Sequence, residues 1–121
     1  MSALDRVLLV VFTLALAGGQ LLFKRTAGGL AGSSSAVEAA GRVALSPSFY
    51  LALSLYGGST ILWIWILTRV PLSQAYPWAA AGTALVPLMA VLLFGEQVRP
   101  IYWLGVGLIM AGIIVVQRAF A

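Results

Sequence analysis

The sequence predicts an all-α integral membrane protein whose four transmembrane helices form a compact bundle. Three observations lead there. Only 8% of the 121 residues are charged and 62% are hydrophobic, whereas a soluble domain has about 25% charged residues. The charges fall at the edges of four apolar stretches, 7–23, 43–68, 70–95 and 100–117. Each is close to the roughly 20 residues a helix needs to cross hydrocarbon. Inside lipid only helices and closed barrels satisfy their own backbone, and runs this long and continuous favour helices.

Span one covers about 4–25. Arg6, an apolar run and Ala15-Leu16-Ala17 before Gly18 imitate a cleaved signal peptide. The run resumes through Leu21-Leu22-Phe23 and ends on Lys24-Arg25, which favours an uncleaved span. A linker, 26–46, is rich in Gly, Ala and Ser. Within it Ser35-Ala36-Val37-Glu38 has capping-box spacing, so 36–45 reads either as a short interfacial helix or as a flexible loop. Ser46-Pro47 fits the N-cap and first position of span two, about 47–68. Arg69-Val70-Pro71 is a tight turn that makes spans two and three antiparallel neighbours. Span three, about 72–94, contains Pro77 and Pro87, each expected to kink it. Gly95 to Pro100 forms the last turn, and span four covers about 101–118. The short loops imply a single domain, 1–121.

Composition also narrows function. There is no Cys and no His, which removes disulfides, thiol chemistry, most metal sites and the histidine proton relay. No nucleophile–base pair, metal-ligand cluster or phosphate-cradling glycine loop is present, so neither enzyme activity nor a cofactor is expected. The net charge of +4 is spread along span edges and reads as interfacial anchoring, with no nucleic-acid stripe. Arg6, Arg69 and Arg118 lie on the side of the termini; Lys24, Arg25, Arg42 and Arg99 lie on the other. Three against four barely orients the chain, which leaves dual insertion or a partner-set orientation open.

Several helix faces carry polar groups. Thr13, Ala17, Gln20 and Lys24 share one face of span one, with no carboxylate beside them. Lys24 fits a snorkelling anchor, and with Arg25 and Gln20 it fits equally a phosphate at the interface. Tyr56, Thr60, Trp63 and Leu67 share a face of span two; Tyr76, Ala80, Thr83 and Pro87 share one of span three. Turned toward span one they would enclose an aromatic cavity suited to a small ligand. Alternatively the threonines bond their own backbone and the aromatics anchor at the interface. Gly105, Gly107, Ala111 and Gly112 give span four small-residue spacing, expected at an oligomer interface or in packing within the monomer. Glu96 reads as a surface ion pair with Arg99 worth under about 1 kcal/mol, or as a partner of Lys24 or of an amine.

Gly19-Gln20-Leu21-x-x-Lys24, Leu62-Trp63, Val70-Pro71-Leu72-x-x-Ala75-Tyr76-Pro77, Gly95-Glu96 and Gly105-x6-Gly112 occur in an order that resembles the four-helix members of the drug/metabolite transporter superfamily. Nearest in pattern are the subunits that flip aminoarabinose-phosphoundecaprenol in Gram-negative envelopes. The likeness covers nearly the whole chain apart from 26–46. The chain is similar to the small multidrug resistance antiporters too, with two departures. Their membrane-embedded Glu falls at Leu16, and the Trp of their span-three aromatic box falls at Ala79. The chain therefore lacks the acid that exchanges protons against a cation.

The flippase resemblance implies a homodimer or a heterodimer with a paralogous subunit, moving an undecaprenyl-phosphate-linked monosaccharide across the bacterial inner membrane. On this reading Lys24, supported by Arg25 or Arg99, holds the phosphate of the polyprenyl-phosphate sugar lipid. Gln20 and Thr83 bind sugar hydroxyls, Trp63 and Tyr76 wall the cavity, and Glu96 takes a sugar amine. Two competing expectations are an exporter of cationic compounds and a non-transporting membrane subunit that stabilises a partner.

Overall fold

The computed structural model describes residues 1–120 and is built from α-helices. Four stretches are long and apolar enough to cross a membrane. They are α1 (Ala3–Gly28), α3 (Pro47–Leu67), the pair α4 (Leu72–Ala80) and α5 (Gly82–Phe94), and α6 (Pro100–Arg118). A short α2 (Ala36–Ala44) lies in the linker. Leucines and isoleucines such as Leu88, Leu92, Ile101, Leu104 and Leu108 point outward, as they must where hydrocarbon is the solvent. The chain is a multi-pass membrane protein.

Local capping sets the starts of α1 and α2. Ser2 Oγ accepts the Asp5 N–H, and the Asp5 carboxylate accepts the Ser2 N–H at 2.9 Å, a reciprocal capping box. The other carboxylate oxygen of Asp5 accepts from Arg69 Nε at 2.6 Å. One acid thus fixes the start of α1 and ties it to the α3–α4 turn. In α2, Ser35 Oγ accepts the Glu38 N–H at 3.1 Å. The Glu38 carboxylate reaches one residue further back than a capping box requires, to Ser34, and also accepts from Arg42 at 2.8 Å. The Ser34 bonds hold the Glu38 carboxyl below its usual value. Val37 and Leu45 remain almost fully exposed, apolar groups on a helix beside the membrane surface.

Span one is the organising element. α1 packs along α3 and also against α4 and α5, while α6 packs on α4 and α5. α3 and α4 meet only lightly, so spans two and three are joined by a turn but separated by span one. Leu9, Phe12, Ile66, Val70 and Ala75 form the buried core, toward the side of the termini.

Span three is broken rather than gently kinked, and the break falls between its two prolines. At Ala81 the N–H bonds Trp78 O three residues back, a tightened turn, before α5 begins at Gly82. The Trp78 carbonyl also accepts from the Thr13 hydroxyl at 3.0 Å. A buried threonine of span one thereby satisfies backbone that the break exposes, the condition for irregular backbone at membrane depth.

Candidate functional site

On the side away from the termini, α1, α5 and α6 frame an open groove of about 250 Å³ lined by Gln20, Lys24, Pro87, Glu96 and Tyr102, among others. Gln20 and Lys24 lie four residues apart and so share a helix face. Gly19, beside them, lets α3 come close. A Cβ there would sit 2.9 Å from Tyr56 Cδ2, inside van der Waals contact. The Tyr56 ring stacks on Phe23 at 5.1 Å and its hydroxyl accepts from Gln20 Nε2 at 2.5 Å. That bond fixes the amide at the lip of the groove.

Glu96 reaches the groove because the chain turns sharply at Gly95, whose φ of 65° is left-handed. Its carboxylate lies 3.3 Å from Lys24 Nζ, with both side chains about half exposed (56% and 42%). In the alternatives left open by the sequence, Glu96 therefore meets Lys24, not Arg99. A half-exposed pair of this kind is weakly bound.

A second open groove, of about 520 Å³, adjoins the first. Thr83, Arg99, Tyr102, Gly105 and Ile109 line it, and Tyr102 forms part of both. Among the described residues Thr83 is the one threonine whose hydroxyl makes no hydrogen bond; Thr13, Thr26, Thr60 and Thr68 each donate to a backbone carbonyl. Arg99 has no ion-pair partner among the described residues.

The expected site residues thus separate. Gln20, Lys24 and Glu96 come together, and Thr83 and Arg99 lie next door. Trp63 does not wall this cavity: it stacks on Phe12 at 4.6 Å and packs against the core. Tyr76 meets Trp63 edge-on and is 64% exposed, away from both grooves. The reason is that α1 lies directly against α3 and fills the space where an aromatic cavity was expected. Arg25, one residue after Lys24 and about 100° round the helix, lines a separate groove with Ser46 and Ser48. Sequence reasoning missed Tyr102. Its signal was the spacing of Tyr102, Gly105, Val106 and Ile109 along one helical face. Leu16 and Ala79 both pack against the apolar core, so nothing ionisable occupies either place. On α6, a Cβ at Gly105, Gly107 or Gly112 would meet no atom within 4 Å.

These features can be set beside known proteins. The profile of the small multidrug resistance proteins matches residues 32–109. The chain belongs to that family. The match covers spans two and three and half of span four, and leaves out the segment with Leu16, Gln20 and Lys24. Family relatives include the probable 4-amino-4-deoxy-L-arabinose-phosphoundecaprenol flippase subunit ArnE of Salmonella newport (strain SL254), 36% identical over 114 residues. That alignment covers 93% of this chain and 96% of the relative. The same-named subunit of Salmonella agona (strain SL483) matches equally, and that of Salmonella paratyphi B is 41% identical over 69 residues, 57% of this chain and 62% of the relative. No solved structure matches significantly.

Proposed function

We propose that this chain is one subunit of a flippase that moves an undecaprenyl-phosphate-linked aminosugar across the bacterial inner membrane. The observation that carries this reading is the Lys24–Glu96 pair, half exposed in a groove that also presents an amide and a phenol. A 4-amino-sugar phosphodiester is a zwitterion: its phosphate replaces Glu96 as partner of Lys24, and its ammonium replaces Lys24 as partner of Glu96. Both charges stay paired while the headgroup leaves water, which avoids the cost of an unpaired charge in a dry site. Gln20 and the unbonded Thr83 hydroxyl supply hydrogen bonds to the sugar, and Arg99 supports the phosphate from the adjoining groove. The polyprenyl tail stays in hydrocarbon because the groove is open to it.

A zwitterion also gains nothing from the membrane potential, which is worth about 2.3 kcal/mol per net charge per 100 mV. Net movement of a zwitterion therefore needs a driving force other than the potential, such as consumption of the lipid on the far side. No catalytic step is needed. A homodimer, or a heterodimer with a paralogous subunit, is supported by Gly107 and Ala111, which share one exposed side of α6 and permit close helix contact there.

Glu96→Gln tests the pairing. It is expected to weaken binding of the aminosugar lipid about tenfold while sparing polyprenyl phosphate that carries no amine. Titration of the two lipids on the full chain in nanodiscs gives the comparison. An equal loss for both lipids would sink the assignment of Glu96 to the amine.

A further inference from the structure

A second polar pocket lies at the opposite end of the bundle, on the side of the termini. Gln117 of α6 builds one wall. Its amide nitrogen donates to the Gln74 carbonyl oxygen at 2.9 Å, and its amide oxygen accepts from the Trp78 indole at 3.3 Å. Arg6 of α1 closes another side, and with Met1 and Phe120 these residues line about 210 Å³. Among the described residues, the Arg6 guanidinium has neither an ion-pair nor a hydrogen-bond partner. Asp5, its neighbour in sequence, is bonded to Arg69 and to Ser2.

Among the described residues no carboxylate lines this pocket, in contrast to the groove that holds Glu96. A guanidinium matches a phosphate through two parallel hydrogen bonds. Amide groups suit sugar hydroxyls, and the flat apolar face of an indole suits a sugar ring. A headgroup that crosses the membrane needs polar partners wherever it leaves water, because its own polar groups are costly to bury unpaired. The groove of Lys24 serves one end of the bundle only.

We infer that Arg6, Gln74, Trp78 and Gln117 form a second headgroup station, which receives the phosphate and sugar of a polyprenyl lipid on the side of the termini. The choice of ligand rests on the flippase reading above; the pocket itself does not depend on Lys24. Trp78 also borders the break in span three, where its carbonyl accepts from Thr13, so the station adjoins the least regular part of the spans.

The test is protection of Arg6 from phenylglyoxal, followed by mass spectrometry, on the full chain in phosphatidylcholine nanodiscs. A polyprenyl-phosphate aminosugar is expected to slow Arg6 modification several-fold and to leave Arg118 unaffected. Protection is expected to persist in Lys24→Ala and to be absent with inorganic phosphate or phosphatidylglycerol. An unchanged Arg6 rate overturns the station. So does equal protection by phosphatidylglycerol, which marks ordinary lipid contact, or by inorganic phosphate, which marks a free-anion site. Loss of protection in Lys24→Ala overturns it as well, by showing that the effect runs through the first groove. Failure here leaves Lys24-dependent lipid binding intact, whereas failure of the flippase reading removes that binding first.

Discussion

Lys24→Ala is expected to lower the affinity of the full chain for a polyprenyl-phosphate sugar by about ten- to a hundredfold, the equivalent of losing one charge-assisted hydrogen bond of about 1.5–3 kcal/mol. The lysine is the cation of the groove, 3.3 Å from Glu96 and beside Gln20 and Tyr102. Without it Glu96 faces the lipid phosphate with no cation between them, so repulsion adds to the lost bond. Lys24→Arg keeps the charge and is expected to retain most of the affinity. Because Lys24 is half exposed and its partner sits at a loop, the fold should tolerate both substitutions. The readout is lipid occupancy at fixed lipid concentration. Unchanged occupancy in Lys24→Ala would return the residue to the role of an interfacial anchor.

Gly19→Val is expected to destabilise the chain by about 1–3 kcal/mol, the usual cost of forcing extra atoms into packed space. Even the first added carbon would press on the Tyr56 ring. Moving that ring breaks its stack on Phe23 and withdraws the hydroxyl that holds Gln20, so headgroup affinity should fall together with stability. Gly107→Val provides the contrast. A Cβ at Gly107 meets nothing within 4 Å in the monomer, so monomer stability should hold while any dimer through α6 weakens. Unfolding in a fixed detergent, with oligomer mass measured alongside, separates the two. Equal stability of Gly19→Val and the unsubstituted chain would contradict the close α1–α3 contact.

Much of this architecture was legible in the sequence because it rests on local signals. Apolar length marked the spans, and Ser46-Pro47 marked the start of α3. The spacing of Ser35 and Glu38 left a helix and a loop both open, and the helix α2 forms over Ala36–Ala44. What escaped depends on which helices touch. The prolines announced a disturbed span three, but its break at Ala81 is supported by Thr13 of another helix. Trp63 and Tyr76 read as cavity walls only while the path of α1 was unknown; once α1 lies on α3, Phe12 takes the place beside Trp63. Lys24 and Arg25 are neighbours in sequence yet face different grooves, a matter of helix rotation that charge clustering does not convey. Gln20, Lys24 and Glu96 were the exception. Helical spacing placed the first two together, and membrane sidedness put the third at the same end.

Whether the groove between α1, α5 and α6 binds a lipid-linked aminosugar phosphate is decided by native mass spectrometry of the full chain. The chain would be titrated with a polyprenyl-phosphate aminosugar, with bare polyprenyl phosphate and with a quaternary ammonium compound. Strongest retention is expected for the aminosugar lipid and weaker retention for bare polyprenyl phosphate, with no pH-dependent binding of the quaternary cation. Tight, pH-dependent binding of the quaternary cation, with no retention of either lipid, would contradict lipid binding by this groove.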